Sequence, residues 1–528
     1  MPSSDVFVRH LFGGGWATDL GPMYDAAPDG AGQLVIPFLT DAKNIQYELD
    51  GGPRKMGGTT KINSSALESG APITSCFDFW KIGTSGTATQ KRIVHVGTKI
   101  KADNADGVFA DILTGMTSGA TPCCFVFEDY LIMANDSGTD VPKKYDQTTA
   151  GNLSGSPPTF SFGVTHKNRA WAAGVPSQPS RLYYSVQLDP NDWTGGGSGS
   201  IDIDPNDGDR ITGIASHKDF LFVFKGPYKG SIHQISGSTS SDFARKTFID
   251  GLGAACHNGI FRFGDDLGFV AHDGSIRSLA ATANYGDFNA ASLSAPIDGY
   301  LRDNVNLSQI KKAWAKTISA YGVTYITLPI GSSATNNLIL LMDFRFNPVR
   351  WSYWDAIAVC SLGMLVDAGN NNHAVPIAGC YDGYLRKLNQ LERAIDSTTG
   401  ITTNVQLPFL TYGSPHIKKT LSFVAVGFFP RNGGDTTFRW TRDSNQAQTE
   451  TITGQGGDAL GTISSGNFTL GTSVLAGNRY VDVFKDIETG GEFRAVQFAL
   501  THSTPSEDIE IHTISAMVIP GAVSSENP

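Results

Sequence analysis

The chain has 528 residues and a formal net charge of −10. It is too long for one ordinary core and too acidic to be expected to bind nucleic acid tightly through the phosphates. Glycine is abundant, at 60 residues, and long helical periodicity is nearly absent, so we expect an all-β protein of two or three domains or one large closed array.

The ends and the cysteines indicate the compartment. The opening MPSSDVFVRH has neither a charged n-region nor an apolar h-region, and no apolar run approaches membrane-spanning length. The cysteines have no metal or redox spacing. We therefore expect no leader and no membrane-spanning segment, and buried reduced thiols in a cytoplasmically made protein. The cysteines are Cys76, Cys123, Cys124, Cys256, Cys360 and Cys380.

Residues 1–69 are predicted to form an N-terminal arm followed by lead-in strands. The first 33 residues are rich in Gly, Asp and Pro, which favours turns over regular elements. The stretch LVIPFLTDAKNIQYELDGGPRKMGG then places two apolar strands around a Gly-Gly-Pro turn.

Residues 70–390 carry a repeated strand pattern. The clearest copies are ITGIASHKDFLFVFKGPYKGSIHQI and GIFRFGDDLGFVAHDGSIRSL, each with three apolar strands separated by a polar turn and a glycine turn. Comparable turns occur near positions 85, 129, 167, 218, 265, 321 and 370, a spacing of about 45 residues. The pattern predicts a β-propeller of seven blades, or of six if the first hairpin only closes the ring.

One helix is predicted within the repeats. The segment Ser292–Lys316 has apolar residues at Ile297, Leu301, Val305 and Ile310, with Ser and Asp at possible caps. We expect it to form an insertion between blades.

After Leu391 the pattern changes. Residues 391–404 read as a polar linker, and residues 405–528 contain longer, better alternated strands that predict a β-sandwich or jelly-roll-like module. Alternation along each strand predicts one buried face. The predicted core is Phe423, Val426, Phe438, Trp440, Val481, Phe484, Phe493, Val496, Phe498, Ile511 and Ile514.

An oxygen-rich turn, IDIDPNDGD, is the strongest candidate cation site. Asp202, Asp204, Asn206 and Asp209 resemble the start of an EF-hand loop, but Asp207 occupies the sixth position, where that loop requires Gly. The twelfth position lacks the required Glu. A solvated turn is the favoured interpretation, and a casual Ca²⁺ or Mg²⁺ site is the alternative.

Other motifs for chemistry are missing from the sequence. There is no HExxH, no Gly-x-Ser-x-Gly elbow, no Walker motif and no dinucleotide fingerprint. Among carboxylates that a glycosidase would need in pairs, Asp78 and Asp266 are isolated, and Glu128 and Asp129 form a turn. We assign no catalytic, cofactor-binding or metal-binding residue, no cofactor, and no enzymatic activity.

The segment GDRITGIASHKDFLFVFKGPYKGSIHQISG, followed by GIFRFGDDLGFVAHDGSIRSL, resembles tail proteins of tailed bacteriophages. The similar family is the nozzle, or tail tubular, protein of podovirus-type tails, a β-propeller subunit at the lower end of the tail tube. Further similarity lies in SRLYYSVQLDPNDW and GEFRAVQFALTHS. The resemblance covers most of the chain as a pattern, and because that family is structural it transfers no catalytic residue.

The resemblance implies a virion protein that is made in the host cytoplasm and resides in the tail. It implies a homo-oligomer, with a six-fold ring as the expected assembly, and portal or adaptor ring proteins and tail fibre or spike proteins as partners. Double-stranded DNA would pass through the ring without specific binding. Two alternatives remain at this point: a tail protein that binds host glycan through a lectin-like C-terminal module, and a propeller glycosidase or lyase.

Overall fold

The structure is a computed structural model with side chains. It describes residues 6–12, 14–20, 23–24, 33–36, 38–83, 86–281, 292–367, 373–413, 415–429, 435–443, 447–452, 481–486 and 491–521. The chain divides into two compact units. One unit comprises Lys61–Leu340 and Ile357–Leu388; the other comprises Met1–Thr60, Leu341–Ala356 and Asn389–Pro528.

The N-terminal strands come first in the chain and belong to the second unit, apart from the last residue of β7. They are β1 (Val6–Phe12), β2 (Met23–Tyr24), β3 (Gln33–Ile36), β4 (Asp41–Lys43), β5 (Ile45–Tyr47), β6 (Pro53–Lys55) and β7 (Gly58–Lys61). A 3₁₀ helix, Leu67–Gly70, then precedes the first repeat.

The described residues of the first unit form seven antiparallel sheets in chain order. Sheet 1 holds β8 (Ile73–Ile82), β9 (Ala88–Val96), β10 (Lys99–Asp103) and β11 (Ala110–Thr114); sheet 2 holds β12 (Pro122–Phe127), β13 (Tyr130–Asn135), β14 (Lys143–Tyr145) and β15 (Ala150–Asn152). Sheet 3 holds β16 (Phe162–His166), β17 (Arg169–Ala173), β18 (Arg181–Tyr184) and β19 (Gly199–Asp202); sheet 4 holds β20 (Arg210–His217), β21 (Phe220–Gly226), β22 (Ser231–Ser236) and β23 (Ala244–Asp250).

The last three sheets have three described strands each within this unit. Sheet 5 holds β24 (Ile260–Phe263), β25 (Asp266–Val270) and β26 (Ile276–Ser278), and sheet 6 holds β27 (Trp314–Ile318), β28 (Val323–Leu328) and the start of β29 (Leu338–Asp343). β30 (Arg350–Trp354) follows in the second unit. Sheet 7 holds β31 (Val359–Asp367), β32 (His373–Cys380) and β33 (Leu385–Gln390).

The seven sheets close into a ring through their first strands. β8 contacts β12, β12 contacts β16, β16 contacts β20, β24 contacts β27, β27 contacts β31, and β31 returns to β8. Between sheets 4 and 5, β20 contacts the 3₁₀ helix His257–Gly259 that leads into β24. The unit is therefore a β-propeller with seven blades, which confirms the predicted fold and settles the blade number. We call it the propeller unit and number its sheets as blades 1 to 7.

Hydrogen bonds and apolar packing hold the last blade to the first. The Ser361 hydroxyl donates to the Ile73 carbonyl at 2.8 Å, and the Val366 amide donates to the Asp78 carboxylate at 2.9 Å. Leu365 and Val94 lie in one buried cluster. Similar clusters join neighbouring blades elsewhere, and burying each large apolar side chain stabilises the ring by about 1.5–3 kcal/mol. Examples are Phe79 with Leu131, Phe127 with Phe160, Trp171 with Leu221, and Phe224 with Phe269.

The turns between first and second strands lie where the sequence predicts them. Phe127 pairs with Tyr130, His217 with Phe220, and Phe263 with Asp266, so each turn has two central residues. The first of these residues has positive φ in all three turns, as right-twisted hairpins require. Positions 85 and 370, at the centres of two further predicted turns, lie outside the described residues.

The predicted helix is present, but it is divided into three pieces. They are a 3₁₀ turn Ala295–Ile297, an α-helix Asp298–Asn304 and a 3₁₀ helix Leu307–Lys312. Val305 is extended between the second and third pieces and ends the α-helix. The predicted apolar stripe of Ile297, Leu301, Val305 and Ile310 is buried in these pieces.

The second unit contains two larger sheets that form a β-sandwich, and we call it the sandwich unit. Its remaining strands are β34 (Ala394–Ile395), β35 (Thr399–Gly400), β36 (Thr403–Gln406), β37 (Phe409–Leu410), β38 (Lys419–Phe428), β39 (Thr436–Arg442), β40 (Gln448–Ile452), β41 (Val481–Asp486), β42 (Glu492–Phe493), β43 (Val496–His502) and β44 (Ile511–Pro520). One sheet has the order β3-β1-β44-β38-β41, with β42 beside β38. The other contains β2-β37-β43-β36-β4-β30, with β39 beside β43 and β40 beside β39.

The N-terminal strands are integral to this sandwich, which differs from the predicted arm. β1 pairs antiparallel with β44 from Val6↔Val518 to Leu11↔Thr513, and β4 lies between β36 and β30. The prediction of an irregular polar linker at residues 391–404 is also wrong, because this segment contains β34, β35 and the start of β36. Its Ala394 and Ile401 are buried, which accounts for its order.

Most of the predicted sandwich core is confirmed. Phe423 is the exception: it is half-buried, because a register shift between Leu421 and Phe423 changes which side chains of β38 point inward. Leu421, Val424 and Val426 are buried instead. The side chains of Val481 and Phe484 lie outside the described set. The buried predicted residues are Val426, Phe438, Trp440, Phe493, Val496, Phe498, Ile511 and Ile514.

Candidate functional site

A cavity of about 390 Å³ opens where the first strands of several blades begin. Its walls come from Pro122 at the start of β12, Phe162 at the start of β16 and Ile211 at the start of β20. His257 precedes β24, and Lys311 precedes β27. Since the first strands surround the propeller axis, the cavity lies at the axial mouth of the ring. We call it the mouth pocket.

The floor of the mouth pocket is a stacked pair of rings. The His257 imidazole lies on the Phe162 ring with centroids 4.9 Å apart and planes inclined by 10°. The Ile214 amide donates to His257 Nδ1 at 3.4 Å. Burial lowers the pKa of His257 to about 4, so the ring is neutral near pH 7. This imidazole is an aromatic and hydrogen-bonding wall, and not a cation.

Two cysteines line the same pocket as thiols. Cys123 donates to the Gly163 carbonyl at 3.9 Å, and Cys256 donates to the Ala313 carbonyl at 3.2 Å. Burial raises the pKa of each thiol to about 12. Because the thiolate is the nucleophilic form, these groups are unreactive at neutral pH. All six cysteines are free in this structure; four are buried as predicted, whereas Cys124 and Cys360 are partly exposed.

A hydrogen bond crosses the axis beside the pocket. The Asn258 side-chain amide, just before blade 5, donates to the Pro122 carbonyl of blade 2 at 3.2 Å. Blades 2 and 5 are not neighbours in a ring of seven, so this contact passes across the centre. The mouth is thus closed to anything as wide as a nucleic acid duplex.

The charged rim of the pocket is basic. The side chains of Arg210 and Lys311 are exposed, and neither side chain forms a hydrogen bond or ion pair with another described residue. Asp136 is the acidic lining residue, and its carboxylate accepts the Thr121 amide at 2.5 Å. The two cationic side chains and the Asp136 carboxylate together give the rim a formal charge of +1, in a chain whose net charge is −10.

The four carboxylates around the Asp202–Asp209 turn do not converge on a common point. Asp202 forms a bidentate pair with Arg181 at 2.7 and 3.0 Å, and Asp204 pairs with Arg245. Arg181 lowers the pKa of Asp202 below its usual range. Asp202 and Asp204 therefore each form an ion pair with a different arginine.

The remaining carboxylates of the turn have structural partners as well. Asp207 accepts from Lys225 Nζ at 2.7 Å, and this fully buried ammonium also donates to the carbonyls of Ile203 and Asp204 at 2.8 Å each. Asp209 accepts the three consecutive amides of residues 228–230 at 2.7–3.0 Å. The turn thus anchors blade 4 through hydrogen bonds, and within the described residues no cluster of His, Cys, Asp or Glu has the arrangement of a metal site.

The carboxylates considered for glycosidase chemistry belong to different blades. Asp78 accepts from Trp80, Gln90 and the Val366 amide, and burial raises its pKa. Asp266 accepts from the Ser278 hydroxyl and from the Ala280 amide. Each is occupied by local hydrogen bonds, so the structure does not bring these two together as a pair.

Neither a scan against protein-family models nor a search of curated proteins finds a match. Similar solved structures include YCF48 bound to D1 peptide, at TM-score 0.38 and 8% identity over 63% of this chain and 99% of that chain. Another is an exo-β-1,3-galactanase from Phanerochaete chrysosporium, at TM-score 0.27 and 8% identity over 88% of this chain and 99% of that chain. TM-scores this low carry no argument about function.

None of the pocket residues was selected from the sequence. Arg210, His257 and Lys311 belong to segments of ordinary composition, and each becomes notable only because the ring brings the starts of different blades together. A usable signal exists, since each stands just before or at the first strand of a repeat.

Among the described helices, none has the length and apolar character needed to cross a membrane.

Proposed function

We propose that the protein is a structural subunit of a bacteriophage tail nozzle, assembled as a homohexameric ring through which DNA leaves the particle. The observation that carries the proposal is the fold of the segment that resembles that family. Residues 208–279 form blades 4 and 5, two complete consecutive blades of a seven-bladed propeller, as a propeller tail subunit would require. The sandwich unit contains GEFRAVQFALTHS, a further segment of the resemblance.

The propeller axis is not the DNA conduit in this proposal. The Asn258 to Pro122 hydrogen bond and the Phe162–His257 stack occupy its mouth. A B-form duplex is far wider than this opening, so the lumen must lie between copies of the chain around a rotational axis. The net charge of −10 suits such a lumen, because each Lys or Arg paired with phosphate would add affinity and impede passage.

The buried ion pairs support a structural role for the blades. Lys225, Asp209 and the Arg92–Asp103 pair use their charges to fasten neighbouring strands. The thiols and imidazole of the mouth pocket are held in their neutral forms by burial. These groups contribute rigidity, which a ring under the pressure of DNA ejection needs.

Electron microscopy tests the proposal directly. Antibody raised against this chain should label the tail end of intact virions, and the purified chain should form closed six-fold rings in single-particle images. Label on the head, or no label on the particle, would overturn the assignment. A ring with a strongly basic or narrow lumen would retain the location and remove the conduit mechanism. A particle that binds host glycan through the sandwich unit would favour receptor recognition instead.

A further inference from the structure

The mouth pocket has the dimensions of a ligand site. Its volume of about 390 Å³ falls within the range of about 300–1,000 Å³ that small-molecule pockets occupy. Val175, Pro176 and Ile211 supply apolar walls next to the Phe162 ring. Ligand pockets typically combine such walls with a few polar groups, and this pocket has that composition.

The polar groups select for negative charge. Arg210 and Lys311 face solvent at the pocket with no partner among the described residues, whereas most other cations of the blades are paired. Asp136 accepts the Thr121 amide and contributes one negative charge, and His257 accepts from the Ile214 amide, so the two cations outnumber the single carboxylate. The pocket therefore offers two free cationic donors above an apolar and aromatic floor.

We propose that the mouth pocket binds a carboxylate attached to an apolar group, with Arg210 and Lys311 holding the carboxylate and Phe162 contacting the apolar part. Arg matches the planar carboxylate with two parallel donors, and Lys adds a second positive charge. The ligand is either a free organic acid or the carboxylate of a peptide. This site is independent of the tail assignment, since its residues all lie within one propeller.

The blocked propeller axis limits how far a ligand can enter the mouth pocket. Because the Asn258 to Pro122 bond spans the ring centre, a ligand enters the mouth and stops there. Such a ligand would contact blades 2 to 5 and, through Lys311, the segment that leads into blade 6. Binding should therefore raise the free energy of unfolding of the propeller unit, by RT ln(1 + [L]/Kd) for a ligand at concentration [L].

Calorimetry with matched acid and amide probes tests the proposal. The full-length protein is titrated with phenylacetate and phenylacetamide, and separately with acetyl-Gly-Phe as free acid and as C-terminal amide. We expect at least one acid to bind about tenfold or more tightly than its amide, since charge-assisted hydrogen bonds are about twice as strong as neutral ones. Binding of phenylacetate alone identifies a free-acid site, and binding of the peptide acid identifies a chain-terminus or side-chain site.

Variants locate the binding. Arg210→Gln and Lys311→Gln should each weaken acid binding by about tenfold. Arg302→Gln, at an exposed arginine of the Asp298–Asn304 helix outside the pocket lining, should leave it unchanged. Circular dichroism and thermal melts establish that the variants are folded.

Three results would overturn the proposal. They are equal affinity for acid and amide in both probe pairs, no binding of either acid, and unchanged affinity in both pocket variants. Competition with inorganic phosphate is a further test. If phosphate displaces the acid at lower concentration than the acid's own dissociation constant, the site is a phosphate site and the carboxylate assignment is wrong.

Discussion

The two units differ in how far apart in sequence their paired strands lie. In the propeller unit each strand pairs with its sequence neighbour, and each blade packs on the next. In the sandwich unit, β1 pairs with β44 more than 500 residues away, and β4 pairs with β36. Local pairing leaves a periodic trace in the sequence, whereas long-range pairing does not. This difference explains why the blades were predicted correctly and the composition of the sandwich was not.

The largest expected effect comes from removing the first strand of the sandwich unit. Deleting residues 1–12 eliminates β1, which lies between β3 and β44. We expect hydrogen exchange of β44 and β38 to lose at least about a hundredfold of its protection, because β44 becomes an unpaired edge. Mass spectrometry of exchange measures this, with β20–β22 as the internal reference.

The matched control removes residues 522–528, which follow the last described strand. It should leave the exchange of β44 unchanged. Full protection of β44 in the shorter chain would show that the sandwich forms without its N-terminal strand. The contrast between local and long-range assembly would then fail.

Within the propeller unit, the buried ammonium of Lys225 is expected to be essential to blade 4. Lys225→Met leaves the Asp207 carboxylate and two carbonyls without their donor. The free energy of unfolding should fall by about 3 kcal/mol. Urea-induced unfolding measures it, with Lys246→Met on the exposed edge strand β23 as the control. Equal, small effects in both variants would contradict the structural role of this network.

Acidification should weaken the propeller through its buried histidines. The folded pKa of His257 is about 4, below the unfolded value of about 6.5, so the unfolded chain binds more protons between these limits. The contribution of neutral His257 to the free energy of unfolding is complete above pH 6.5, and it is lost as the pH falls toward 4. For this group alone, the loss between pH 7 and pH 5 is about 2 kcal/mol.

Urea unfolding at pH 7 and pH 5 isolates this contribution. His257→Asn, which keeps an acceptor near the position of Nδ1, should reduce the pH-dependent loss, while substitution of the exposed His373 by Asn should not. His95 and His166 also have pKa values lowered to about 4 by burial and should maintain part of the slope. An unaltered slope in His257→Asn would show that folding does not lower the pKa of His257.

The smallest effect compares one tryptophan from each unit. Trp171 of blade 3 donates its indole N–H to the His166 carbonyl at 3.2 Å, whereas the buried Trp440 indole of the sandwich has no hydrogen-bond partner among the described residues. Trp171→Phe should therefore cost about 1 kcal/mol more than Trp440→Phe, since both lose similar apolar surface. Thermal denaturation with both variants measures the difference. Equal costs would mean that the two indoles are equivalently satisfied.

Prediction from sequence worked where a pattern is complete within a few dozen residues. The hairpins of blades 4 and 5 follow from apolar strands that alternate with two-residue turns, as at Lys218 and Gly264. The apolar stripe of Ile297, Leu301 and Ile310 is buried as expected. The break at Val305 was not apparent, because residues before and after it continue a helical spacing.

The sandwich shows where local pattern is insufficient. Alternation placed Phe423 in the core, yet the bulge after Leu421 turns it partly toward the surface. A bulge depends on how two strands align, and β38 and β44 are about ninety residues apart. The partnership of β1 with β44 is even more remote. Neither strand has a local sequence feature that identifies the other as its pairing partner.

By itself, the sequence determined the all-β class, the blade repeat and most of the buried apolar faces, because strand and turn preferences act between near neighbours. The tertiary structure decided the closed seven-bladed ring, the N-terminal strands within the sandwich, and the mouth pocket. Arg210, His257 and Lys311 come from three different blades or their lead-in segments. They meet only because ring closure fixes the starts of the inner strands around one axis, a constraint that no single segment contains.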